Sequence, residues 1–237
     1  MMLRLLSVEL LKIRKKLLWL LVVIGPLGVV SLQAVNFGLR YDYLSKLYAD
    51  GLWSGLILNV SNLALSALFI GLAIVASMSA GIEHQTNAWK MTLALPVSKG
   101  QVFGAKFLLN VLLLFVSSSL LVPFTLALGW ALGFDGPIPI AELLRTAYYP
   151  LLAAMPFVAV QCGLSVHLAN QALPMTIGIV GMIAAMFGSW FPDWVPWKWP
   201  SLLNASHEPL LSVGLGLVLG AVVFLVGMTV FARKDVT

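Results

Sequence analysis

Long charge-free apolar runs, separated by short polar segments, organise this chain. A helix needs roughly 20 mainly apolar residues to cross about 30 Å of hydrocarbon. The first candidate span covers 17–39, the second lies between Asp50 and Glu83, and the third between Lys106 and Asp135. Residues 146–192 are charge-free but too long for one crossing, and the polar stretch His167, Asn170, Gln171 divides them in two. The last span covers 209–232. Lipid accepts only helices or closed barrels, because every backbone polar group must be satisfied within the protein. The runs lack the alternation of a lipid-facing strand. The pattern therefore predicts an all-α integral membrane protein with six transmembrane helices.

Ahead of the first span, Leu3, Leu6, Leu10, Ile13 and Leu17 recur at helical spacing, with Glu9, Lys12 and Lys16 on a neighbouring face. This predicts an amphipathic interfacial helix over 1–16, its basic residues drawn to anionic lipid, followed by a six-span domain over 17–237. Pro26, Pro123 and Pro156 fall inside spans and are expected to kink them. Asn59, Asn62, Ser66, Ala73 and Ser77 share one face of the second span. Gly178, Gly181, Ala185 and Gly188 share a face of the fifth, and Gly216 and Gly220 lie four apart in the sixth. Small faces let helices approach closely in lipid, first of all within one chain.

Composition agrees: of 237 residues, 60% are hydrophobic and 10% charged, with a mean hydropathy of +0.98. Too little polar surface remains to clothe a water-soluble globule. The net charge of +5 would suggest nucleic acid in a soluble protein, but here the basic residues flank the spans. With the N-terminus in the cytoplasm, the inner segments hold Arg4, Lys12, Arg14, Lys15, Lys16, Lys90, Lys99, Lys106, Arg233 and Lys234. The outer ones hold only Arg40, Lys46, Arg145 and Lys198. This bias predicts N-in and C-in. The charged stretch 4–16 and the lack of a small-residue cleavage site favour an uncleaved first span over a secretory signal. The single cysteine, Cys162, excludes an internal disulfide and a cysteine-cluster metal site.

The segment 79–106 is the most informative, being longer than a plain connector. Trp89 and Leu93 fall on one side of a short predicted helix that Pro96 ends. Ser98 and Gln101 have the spacing of a capping box that would start the next helix. Glu83, Trp89, Lys90, Leu93, Leu95, Pro96, Ser98, Lys99 and Lys106 together resemble the cytoplasmic loop of type-2 ABC transporter permeases. The basic N-terminal helix and the ending from Phe231 fit the same family, and the resemblance spans nearly the whole chain. Within the family the length and the Trp- and Pro-rich last outer loop look most like permeases of lantibiotic immunity and bacitracin export.

That resemblance implies a membrane subunit of an exporter in a bacterial plasma membrane. It implies a separate ATP-binding-cassette subunit docked on Glu83, Trp89, Lys90, Leu93, Leu95, Pro96 and Lys99, and a second permease subunit, identical or related. It further implies a subunit seam or pathway near Asn59, Asn62, Ser66, Gly178, Gly181 and Ala185. The residues agree on one point independently. The sequence has no phosphate-binding Gly-x-x-x-x-Gly-Lys-Ser/Thr loop, and no ionisable side chain falls in the apolar centre of a predicted span. This chain is therefore expected to bind no cofactor and catalyse nothing, with ATP and Mg in the partner. Trp194 and Trp197, among four tryptophans and three prolines over 190–200, are expected at the outer leaflet, as an aromatic belt or as a platform for an amphipathic substrate.

Two rival classes remain open. The membrane component of vitamin-uptake ABC systems also has six helices and no nucleotide site, but it usually lacks the long basic start and the 79–106 loop. An intramembrane serine protease would have to use Ser165 with His167, which at two residues apart face different directions on a helix.

Overall fold

The computed structural model describes residues 2–14, 16–86 and 97–233, and their regular structure is helical throughout. The helices are α1 (Met2–Ile13), α2 (Leu18–Leu47), α3 (Leu52–Gln85) and α4 (Lys99–Ala131). There follow α5 (Ile140–Ala153), α6 (Met155–His167), α7 (Ala172–Met186) and α8 (Pro209–Arg233). Among the described residues four helices, α2, α3, α4 and α8, are long and apolar enough to cross a membrane. The pair α5 and α6, bent by 48°, makes a fifth crossing if taken together. At 15 residues α7 is about 22 Å long, short of the hydrocarbon thickness. The fold is thus all-α with four to five candidate spans.

The helix boundaries follow from local chemistry. At the start of α4 the Ser98 hydroxyl accepts from the Gln101 N–H, and the Gln101 side chain accepts from the Ser98 N–H, both at 3.2 Å. This is the reciprocal cap expected from the sequence, and it starts α4 seven residues before Lys106. Residues 79–85 and 99–106, expected as parts of a loop, are helical stems. α2 runs past the expected end at 39 to Leu47, with its one non-helical residue at Arg40. The bend between α5 and α6 falls at Ala154, two residues before Pro156. Proline has no N–H to offer the carbonyl four residues back, so the helix breaks there. α2 and α4 continue through Pro26 and Pro123.

Packing uses the small residues the sequence singles out, within the chain. A Cβ on Gly216 of α8 would lie 2.5 Å from the Ala153 backbone, and one on Gly220 2.6 Å from Met155. α8 therefore seats against the α5–α6 bend. Gly178 of α7 presses against Ala73 of α3 in the same way. At one end of the bundle Phe37, Trp53 and Phe134 pack edge to face. At the other, Ile13 of α1 joins Leu18, Val22, Val75, Leu109 and Leu113 in a buried cluster, with Leu6 and Leu10 against it.

Candidate functional site

The end of the bundle that carries α1 is where charge concentrates. Four ionisable side chains from three helices close a ring of alternating sign. Lys12 Nζ donates to Glu9 Oε1 at 2.5 Å and to Glu83 Oε1 at 2.6 Å. Lys106 Nζ pairs with the other oxygen of each carboxylate, with Glu83 Oε2 at 3.0 Å and with Glu9 Oε2. Lys106 also donates to the Ser79 carbonyl at 3.2 Å. Glu83 and Lys106 are each 1% exposed and Glu9 5%. Burial of an ion is tolerable only with a partner in good geometry, and here each carboxylate meets both ammonium groups.

The sequence builds this ring by spacing. Glu9 and Lys12 are three apart on α1, so they share a face, and that face also carries Ile13 into the apolar cluster. Glu83 lies in the last turn of α3 and Lys106 two turns into α4. Burial works against the charge of Glu9, but Lys106 and the hydrogen bonds from both lysines outweigh it and hold its carboxyl below the ordinary glutamate value. Burial likewise disfavours the Lys12 ammonium, and the bonds to Glu83 and Glu9 raise its pKa regardless. Both groups are therefore ionised at neutral pH.

Polar contacts extend the ring inward. Ser79 Oγ donates to Asn110 Oδ1 at 3.0 Å, linking α3 to α4. His84 Nε2 lies 3.1 Å from the Ser165 carbonyl, and Gln171 Nε2 donates to the same carbonyl at 2.9 Å. The end of α3 is thus tied to α1, to α4 and to the last turn of α6. The ring fixes both stems of the 86–98 connection: Glu83 stands just before it and Lys106 shortly after.

The expected docking residues divide accordingly. Glu83 is not a surface group: it is buried, and its charge is spent within the chain. Lys99 opens α4, half-buried. Trp89, Lys90, Leu93, Leu95 and Pro96 lie outside the described residues. The α1 stripe is also redistributed. Leu6, Leu10 and Ile13 pack onto the bundle, while Leu3, Val8 and Leu11 are exposed beside Arg4 and Arg14.

The residues expected along a seam are not brought to one surface. Asn59 donates to Tyr48 Oη at 3.0 Å and to the Gly55 carbonyl, and its own carbonyl accepts from Gln33. Gly178 and Ala185 are buried in the chain's own packing. Gly181 borders a small cavity of about 200 Å³ with Trp197, and Ser66 lines a larger groove between α2, α3, α4 and α5. Asn62 alone of these side chains is exposed. In the last loop Trp190 and Trp194 are 86% and 77% exposed, whereas Trp197 packs on Phe157 with ring centres 5.2 Å apart. Trp199 is buried and donates to the Asp193 carbonyl at 2.7 Å. Asp193 pairs with Lys198 at 2.8 Å and accepts from the Ala205 N–H, which lowers its pKa. This loop is a built structure rather than a loose belt.

Sequence reasoning missed the ring. It treated Glu83 as a docking residue at the end of one span, Lys106 as the start of the next, and Glu9 as part of the face beside the apolar stripe of an interfacial helix. The available signal was Glu9 itself, an acidic residue one position from the apolar stripe in an otherwise basic N-terminal helix.

No curated protein and no solved structure matches the chain. A family model, described as ABC-2 family transporter protein, matches residues 5–185, from the first turn of α1, through the ring, to the last turn of α7. The chain therefore belongs to the ABC-2 transporter family and is a multi-pass membrane protein.

Proposed function

We propose that this chain is the permease subunit of an ATP-driven exporter in a bacterial plasma membrane, itself without catalytic activity or bound cofactor. Its energy would come from a separate ATP-binding-cassette subunit carrying ATP and Mg. The observation that carries the reading is the charged ring: both stems of the 86–98 connection are held rigidly against α1. A connection anchored in this way can receive a push and pass it to three helices. Trp89, Lys90, Leu93, Leu95 and Pro96 supply the contact with the ATPase, and Glu83 contributes by holding their base in place. In this reading the charged end faces the cytoplasm, N- and C-termini are inside, and α7 with the turn after it forms a short sixth crossing. A second permease subunit, a copy or a relative, meets α3 where Asn62 presents an amide in an apolar stretch. Such an amide gains a hydrogen-bonding partner across helices. A lantibiotic or bacitracin-like peptide is the substrate class we favour, met at the outer leaflet by Trp194, with Trp197 as support.

The test is copurification of this chain from its native membrane with an ATP-binding-cassette protein. Trp89→Ala is expected to insert normally and to lose most of the bound ATPase. A full complement of ATPase on Trp89→Ala and on a Lys90→Ala, Leu93→Ala double variant would overturn the docking assignment. A stable one-to-one complex with a vitamin would favour the uptake component instead.

A further inference from the structure

The large groove between α2, α3, α4 and α5 has a volume of about 390 Å³. On α2 it runs from Leu21 to Leu32, twelve residues that rise about 16 Å along the helix. That equals the hydrocarbon depth of one leaflet, about 15 Å. Its rim is open to the bilayer: Leu32 is 61% exposed, and Ile24 and Ile70 are exposed as well. Its lining is apolar apart from hydroxyls such as Ser66 and Ser117.

A second observation lies at its mouth. Lys16 stands in the α1–α2 turn, two residues before α2 begins at Leu18 and five before Leu21, so it lies on the headgroup side of the groove. Arg14 and Lys16 are exposed in this turn. The ring withdraws Glu9 and Glu83 from the surface, so the exposed charge that α1 and the α1–α2 turn present among the described residues is basic only. Basic groups stand where a headgroup would be, and an apolar channel of one-chain length begins where an acyl chain would be.

We infer that α1, the α1–α2 turn and the groove form a binding site for one phospholipid with an anionic headgroup, its phosphate against Arg14 and Lys16 and one acyl chain along Leu21 to Leu32. The choice of leaflet rests on the orientation proposed above. Occupancy does not, and it can be read in symmetric nanodiscs where both leaflets carry the same lipid.

The experiment uses the purified chain in nanodiscs with phosphatidylglycerol or phosphatidylcholine bearing a photoactivatable diazirine in one acyl chain, and maps labelled peptides by mass spectrometry. Phosphatidylglycerol is expected to label peptides covering 21–32 about thirtyfold more than phosphatidylcholine, given about 1 kcal/mol for each of two basic residues near the headgroup. A Cβ at Gly28, which lines the groove, would meet nothing within 4 Å, so Gly28→Phe is chosen to fill it. It should abolish labelling there and leave labelling at Val218 and Val222 of α8 unchanged. Arg14→Ala with Lys16→Ala should reduce phosphatidylglycerol labelling to the phosphatidylcholine level. Equal labelling by both lipids, or labelling indifferent to Gly28→Phe, would mean bulk lipid only and overturn the site. Efficient disulfide dimerisation of Gly28→Cys with no groove labelling would overturn it in favour of a second copy.

Discussion

Replacing Lys106 by Met tests the ring most directly, because it removes charge while keeping most of the side-chain volume. Lys106 is 1% exposed and pairs with both glutamates. Without it, two carboxylates share Lys12 alone. Breaking a buried pair by removing one member costs about 3–5 kcal/mol. The chain has one escape: it can protonate a carboxylate. At pH 7, protonating a glutamate of ordinary pKa near 4.3 costs about 3.7 kcal/mol. The two figures agree, so about 3–4 kcal/mol is expected, enough to release α1 from the bundle.

The pH dependence gives a signature that lost packing alone would not. In the native chain, despite its burial, the Glu9 carboxyl is held below the ordinary glutamate value by Lys106 and the bonds from both lysines. A depressed acid contributes stability that is present above the unfolded pKa and lost as pH falls through the folded one. α1 should therefore loosen when the native protein is taken below about pH 4. Lys106→Met should do the opposite: α1 is loose at pH 7 and tightens toward pH 5, where one carboxylate takes up a proton cheaply. The assay is backbone hydrogen exchange of α1 in detergent micelles, followed by mass spectrometry. Protection of α1 amides should drop by about a hundredfold or more at pH 7 in the variant, or to nothing if undocking is complete. After correction for intrinsic exchange, unchanged protection at pH 7, or a loss that does not recover toward pH 5, would refute the reasoning.

Two further outcomes follow from the packing. Gly216→Leu would drive a side chain into the Ala153 backbone and should destabilise by about 1–3 kcal/mol or more, whereas Gly214→Leu, with open space at its Cβ, should lie within about 0.5 kcal/mol of the native chain; thermal unfolding in detergent compares them, and equal melting points would discredit the α8 seat. Trp197→Ala should lower the melting point by uncovering Phe157 and the cavity beside Gly181, while Trp194→Ala, at a 77% exposed site, should leave it unchanged; the reverse order would count against the assigned arrangement of the last loop.

The helices were legible in the sequence and their partnerships were not. Apolar runs of membrane length carry a strong signal, so α3 and α8 lie within a few residues of their expected bounds. A polar stretch marks the turn after His167, and the Ser98–Gln101 cap is a local pair of hydrogen bonds between residues three apart. Each of these depends on near neighbours along the chain. What lay beyond reach was which face of one helix meets which face of another. A small face such as Gly178–Ala185 suits an intrachain neighbour and a second subunit equally well, and the chain uses it on α3. The ring is the sharper case. A charge at the end of an apolar run reads as the place where the membrane stops, and for most membrane proteins it is. Glu83 and Lys106 are separated by 23 positions and Glu9 by 74 from Glu83, so no periodicity connects them. Only the fold brings α1 back across the ends of α3 and α4, and once there Glu9 and Lys12 give each member of the Glu83–Lys106 pair a second partner. The same closure that hides the acids leaves the outer surface of α1 basic, so the charge that a partner or a lipid meets is fixed by pairing inside the protein.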